Sequence, residues 1–239
     1  MHQIEISPRS LCRIAGLLYL IIIVAGLGDE MFIRNALIAS GDAAATAHNI
    51  AAAPFLWRLG IAGDLLMHLC DVPLMLILYI LLKPVNKHLA LLAMLFTFVQ
   101  TSVLVATKLN AFTPLFLLGD AAYLHAFDAA QLQALSYVAI RADSHGFGFG
   151  LMFFGCTCLL EGYLIFRSGY LPKVIGVLMQ LAGLCYLTNS FALILSPALA
   201  GALFPAILLP AFVGESSLCL WLLLKGVNTA RWIERNAAA

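Results

Sequence analysis

Residues 63–83 read GDLLMHLCDVPLMLILYILLK, from Gly63 to Lys83. The second half is an unbroken apolar run closed by a lysine. The first half carries Asp64, His68 and Asp71. About 20 apolar residues in a helix cross the roughly 30 Å of bilayer hydrocarbon. The stretch therefore predicts a membrane helix with three ionisable side chains inside it. Asp64 to His68 is four residues and His68 to Asp71 is three, so all three lie on one stripe, which Met75 continues. Leu66, Leu69 and Pro73 take the opposite face, where lipid or other helices can meet them.

The whole chain repeats this character. Of its 239 residues, 63% are apolar and 10% charged, against about 45–50% and about 25% in soluble domains. The fold class is all-α: a polytopic bundle of six transmembrane helices, read as one domain over residues 1–239. A barrel would show short alternating segments; here the runs are continuous. A net charge of +1 excludes a basic nucleic-acid binder, and the partner the composition requires is the lipid bilayer. The six cysteines fall in or beside apolar runs without a CxxC, as small packing residues do.

The spans are expected at about Leu11–Ile33, Phe55–Leu82, Leu89–Phe116, Tyr137–Phe166, Val174–Leu195 and Leu203–Leu224. The first ends in GDEMFIR rather than a small-residue cleavage site, so it reads as a retained helix and not a signal peptide. Nine of the thirteen basic residues flank the inner ends of these spans: Arg9, Arg13, Lys83, Lys87, Arg167, Lys173, Lys225, Arg231 and Arg235. The excess of Lys and Arg predicts cytoplasmic N and C termini. On the outer side, residues 43–53 suggest a short interfacial helix. FDAAQLQAL, residues 127–135, suggests another helix, capped by Asp128. Gly146 and Gly150, four apart, predict close helix approach, with Gly155 as a further small site.

Depth follows from a rise of 1.5 Å per residue. Asp71 lies roughly 18 Å from Lys83 and Glu215 roughly 15 Å from Lys225, both near the midplane. His68, Asp64, Gln100, Lys108, Asn189, Asp29, Glu30, Asp143 and His145 fall between midplane and outer surface. Glu161 alone lies toward the inner headgroups, within reach of water. A charge at the bilayer centre costs at least about 2.5 kcal/mol, so these groups are expected to converge on one polar chamber. The candidate lining is Asp64, His68, Asp71, His145, Glu215, Glu30, Lys108 and Asn189.

RIAGLLYLIIIVAGLGDEMFIR, GDAAATAHNI, RLGIAGDLL, LYILLKPVNKHLALLA, SHGFGFGLMFFG and GYLIFRSGYLPKVIGVL together resemble domain of unknown function 4386, a family of small bacterial membrane proteins. The likeness runs from about Arg9 to Leu195. It implies a multi-pass protein of the bacterial inner membrane and brings no catalytic residues. The residues themselves leave three readings. One is a protein that binds, and moves, a small polar or amphipathic ligand without a cofactor. Another is an intramembrane hydrolase using zinc on His68, His145 and nearby acids, acting on a lipid-like substrate. The last is a structural or accessory subunit. No zinc signature such as HExxH is present, and the oligomeric state is open.

Overall fold

The structure, a computed structural model, describes residues 7–238. Among them, six helices are long and apolar enough to cross a bilayer: Pro8–Leu37, Pro54–Leu82, Lys87–Leu117, Ala129–Ser168, Lys173–Leu195 and Ala206–Leu224. Each contains or closely matches an expected span. In chain order the helical elements are α1 (Pro8–Gly28), a π-helical stretch Asp29–Arg34, α2 (Asn35–Leu37), α3 (Ala43–Ala52), α4 (Pro54–Leu82) and α5 (Lys87–Leu117). A 3-10 turn at Ala122–Ala126 leads to α6 (Ala129–Ser168) and α7 (Lys173–Leu195). The chain closes with α8 (Pro197–Leu203), α9 (Leu209–Leu224) and α10 (Thr229–Ala237).

The loop helices form where the sequence marks their starts. Asp42 caps α3, its carboxylate accepting from the Ala45 N–H at 2.9 Å. Asp128 accepts from the Gln131 N–H at 2.8 Å while the Gln131 side chain accepts from the Asp128 N–H at 3.0 Å. That reciprocal pair is a capping box. The helix it starts does not stop before the fourth span but runs into it, making α6 40 residues long. No Gly or Pro interrupts residues 129–145, so nothing ends the helix there.

Contacts gather into two compact units. The smaller comprises Ile22–Leu69 and Ser102–Phe147. Its apolar core joins Ile33, Leu37, Ile50, Trp57, Ile61, Ala111 and Ile140. The Trp57 indole N–H is satisfied by the Ala111 carbonyl at 2.8 Å. Thr46 ties the end of the first span to α3, accepting from the Ala39 N–H and donating to the Asp42 carbonyl.

The larger unit comprises residues up to Ile21, Cys70–Thr101 and the chain from Gly148 onward. Its central device is a glycine seam between α6 and α7. A Cβ on Gly162 would lie 2.6 Å from the Gly176 carbonyl oxygen, and one on Gly183 would lie 2.6 Å from that of Gly155. The glycines recur at seven residues on both helices, so two backbones touch along one line, as small residues permit in membranes. Gly155 thus meets its expected role, within a seam that the spacing of Gly146 and Gly150 did not reveal.

At one end of this unit, α10 packs on the turns between spans. Trp232 and Tyr170 both donate to the Leu81 carbonyl, at 3.0 and 2.6 Å. Arg235 Nη1 donates to the Arg167 and Ser168 carbonyls at 2.9 and 3.0 Å. Burial pushes the Tyr170 phenol above its ordinary range. On α4, Leu66 and Leu69 are exposed, the latter by 71%, as expected of a face turned to lipid.

Candidate functional site

The smaller unit holds a cluster of five charged side chains. Two come from the first span, where the helix opens into its π register: the Asn35 N–H bonds to the Glu30 carbonyl five residues back. Residues five apart lie on different sides of an α-helix, but a π turn brings them together. Arg34 Nε therefore donates to Asp29 Oδ2 at 2.7 Å. Gly60 of α4 packs against this pair. A Cβ there would sit 2.3 Å from Asp29 Oδ1 and 3.1 Å from Ile33 Cγ2, so only glycine leaves room for the carboxylate.

One turn beyond Gly60, Asp64 enters the cluster. Its Oδ2 accepts from Lys108 Nζ of α5 at 2.8 Å and lies 3.5 Å from Arg34 Nη2. Asp143 of α6 completes the group, Oδ2 accepting from Arg34 Nη2 at 2.8 Å. Lys108 Nζ stands 3.2 Å from Asp143 Oδ1. That distance is an ion-pair contact without hydrogen-bond alignment, and Oδ1 is buried with no hydrogen-bond donor. Gly146, one turn on, lets α5 approach: a Cβ there would lie 2.1 Å from Thr107 Cγ2.

The cluster is largely buried and holds more acids than cations. Asp29, Asp64, Lys108 and Asp143 are all buried, Asp143 to 1% exposure. Three carboxyl groups face two cations. With every group ionised, one negative charge stands uncompensated in a medium where desolvating an ion costs several kcal/mol. Of the expected lining residues, Asp64 and Lys108 meet here. His68 lies one turn along α4 from Asp64 and is buried at 3% exposure. Glu30 is exposed. His145 is half-buried, with Nδ1 2.8 Å from the Arg141 carbonyl oxygen.

The remaining expected residues belong to the larger unit. Asp71 Oδ2 accepts from the Thr101 hydroxyl at 3.3 Å. Glu215 accepts from two phenols, Tyr19 at 3.1 Å and Tyr186 through a very short bond. Asn189 is half-buried on α7, beside Ser190, whose buried hydroxyl has no hydrogen-bond partner. Glu161, expected within reach of water, is buried to 6% exposure. Among the described residues no three His, Cys, Asp or Glu side chains gather as a metal-ligand set.

Asp29 and Asp143 were expected to converge on the chamber but were absent from its named lining; Arg34, Tyr19 and Tyr186 were absent from both. A usable signal existed for the first three. The outer stretches hold more acids than an apolar chain can leave unpaired, and Arg34 is the one cation of the first span on that side. The phenols carried none, since a tyrosine within a span is common.

The profile of the family described as Domain of unknown function (DUF4386) matches residues 14–226. An uncharacterized protein of Archaeoglobus fulgidus is 26% identical over 168 residues, covering 70% of this chain and 83% of its own length. No solved structure matches.

Proposed function

From a chain that belongs to the DUF4386 family, whose description assigns no activity, we infer a multi-pass membrane carrier that takes up one small polar cation inside the bilayer. An ammonium-bearing solute or a proton fills the same role. The observation that carries this reading is the surplus of acid in the cluster, where Asp29, Asp64 and Asp143 face the two cations Arg34 and Lys108. Ionisable groups within a span are costly and mark ion and proton pathways. A cluster built only to fasten helices gains nothing from an unmatched charge. Replacing buried ion pairs by apolar side chains is often neutral or stabilising. The distribution of Lys and Arg supports residence in the bacterial inner membrane with both termini in the cytoplasm.

The test is flux into liposomes containing the purified protein, with a trapped pH-sensitive dye and an imposed methylammonium or proton gradient. Wild type is expected to exceed empty liposomes in at least one gradient, and Asp143→Asn to abolish the excess while eluting as the same folded species. Wild type equal to empty liposomes in both gradients overturns the carrier reading and leaves the cluster as a structural fastening of α4, α5, α6 and the first span.

A further inference from the structure

The larger unit carries a second feature, independent of the charge cluster. Between the turn at residues 83–88, which joins α4 to α5, and the last turn of α10 lies an open cleft of about 460 Å³. On one side stand Lys83, Lys87 and His88, on the other Arg235 and Ala238. Among the described residues no carboxylate side chain lines it. Among the described residues none of Lys83, Lys87 and Arg235 is within ion-pair distance of an acid. Glu234, next to Arg235 in sequence, does not line the cleft.

Three features make this more than a scatter of surface lysines. Arg235 is held in place: besides its bonds to the Arg167 and Ser168 carbonyls, its Nε lies 3.4 Å from the Pro84 carbonyl oxygen. Those neutral acceptors orient the guanidinium without cancelling its charge. The 31-residue α5 begins at Lys87, so its first N–H groups and positive dipole end face the same region, with Asn86 capping only the Leu89 N–H at 3.0 Å. The turn also joins two spans, ending at Leu82 and starting at Lys87, so it sits where a bilayer presents its headgroups.

We propose that this cleft binds a phosphate-bearing anion, namely the phosphodiester headgroup of an anionic lipid, between Lys83, Lys87 and Arg235. Headgroup oxygens replace the water on the lysine ammoniums and accept from the α5 N-terminus. The acyl chains lie along the apolar faces of α4 and α5, where Leu76 and Leu92 are exposed.

The experiment uses the full chain in phosphatidylcholine micelles, titrated separately with phosphatidylglycerol and with sodium phosphate, and read by native mass spectrometry. Wild type is expected to retain one phosphatidylglycerol per chain in preference to phosphatidylcholine. The K83Q/K87Q variant should lose at least tenfold in that retention, and the K83R/K87R variant should keep it. Arg235 is left intact because it fastens α10. Displacement of the lipid by millimolar phosphate identifies soluble phosphate as the competing source of the same chemistry. Resistance to that displacement identifies the lipid. Equal retention of the two lipids by wild type, or undiminished retention by K83Q/K87Q, overturns the proposal.

Discussion

Removing Lys108 and removing the charge of Asp143 should have very unequal consequences, although both disrupt the Lys108–Asp143 pair. Lys108→Met keeps the length and most of the volume of the side chain but deletes the ammonium 2.8 Å from Asp64 and 3.2 Å from Asp143. Three buried carboxyl groups then share the Arg34 guanidinium, which stands 3.5 Å from Asp64. Stripping one partner from a buried pair costs about 3–5 kcal/mol, and that is the expected loss. Asp143→Asn instead leaves two carboxylates facing two cations. It weakens the 2.8 Å bond from Arg34, since a neutral acceptor forfeits about 1 kcal/mol of charge assistance. Removing one of three mutually repelling acids offsets that loss, so the net change should stay within about 1 kcal/mol, the size of the loss it offsets. Reversible unfolding in mixed micelles measures both variants and the double variant. The double should recover part of the Lys108→Met loss, because neighbours in one network are not additive. Lys108→Met within about 1 kcal/mol of wild type, below the spread of such losses, or Asp143→Asn as damaging as Lys108→Met, refutes the charge surplus.

Gly60→Ala places a methyl 2.3 Å from Asp29 Oδ1 and should cost about 1–3 kcal/mol by overpacking, seen in the same unfolding assay. Glu30→Gln, at an exposed neighbour, should change stability by no more than about 0.5 kcal/mol. Tyr186→Phe removes one of the two phenols on Glu215. It should cost about 0.5–1.5 kcal/mol, the range for a typical hydrogen bond, and Glu215→Gln made in that background should then cost less than it does in wild type.

The architecture was readable because hydrocarbon imposes a simple rule: a span is a long apolar run, and each of the six stands out against its charged flanks. The cap at Asp128 was readable for a related reason, since it acts through an atom only three residues away; Asp42 caps in the same way but was not read as a cap. The site was readable only in part. Asp64 and Lys108 were recognised as groups needing partners, and they meet. Asp29 and Arg34 were not paired, because the α-helical period separates them and no residue in GDEMFIR announces a π turn. Glu161 was expected near the inner headgroups from its position along one helix. Its burial depends on what packs against it from elsewhere in the chain, which a one-dimensional measure of depth does not include. The stripe of Asp64, His68 and Asp71 was correct as helix geometry. Asp64 and His68 nevertheless belong to one compact unit and Asp71 to the other, a division made by contacts distant in sequence.

The most direct measurement of the central claim is the number of cations bound per chain. Equilibrium dialysis of the detergent-purified protein against labelled methylammonium, with proton release followed in weak buffer, counts both candidates at once. The account predicts one positive charge taken up per chain, as the organic cation or as a proton it displaces, and none in Asp143→Asn. Wild type and Asp143→Asn that bind alike, or a wild type that binds neither, would contradict it.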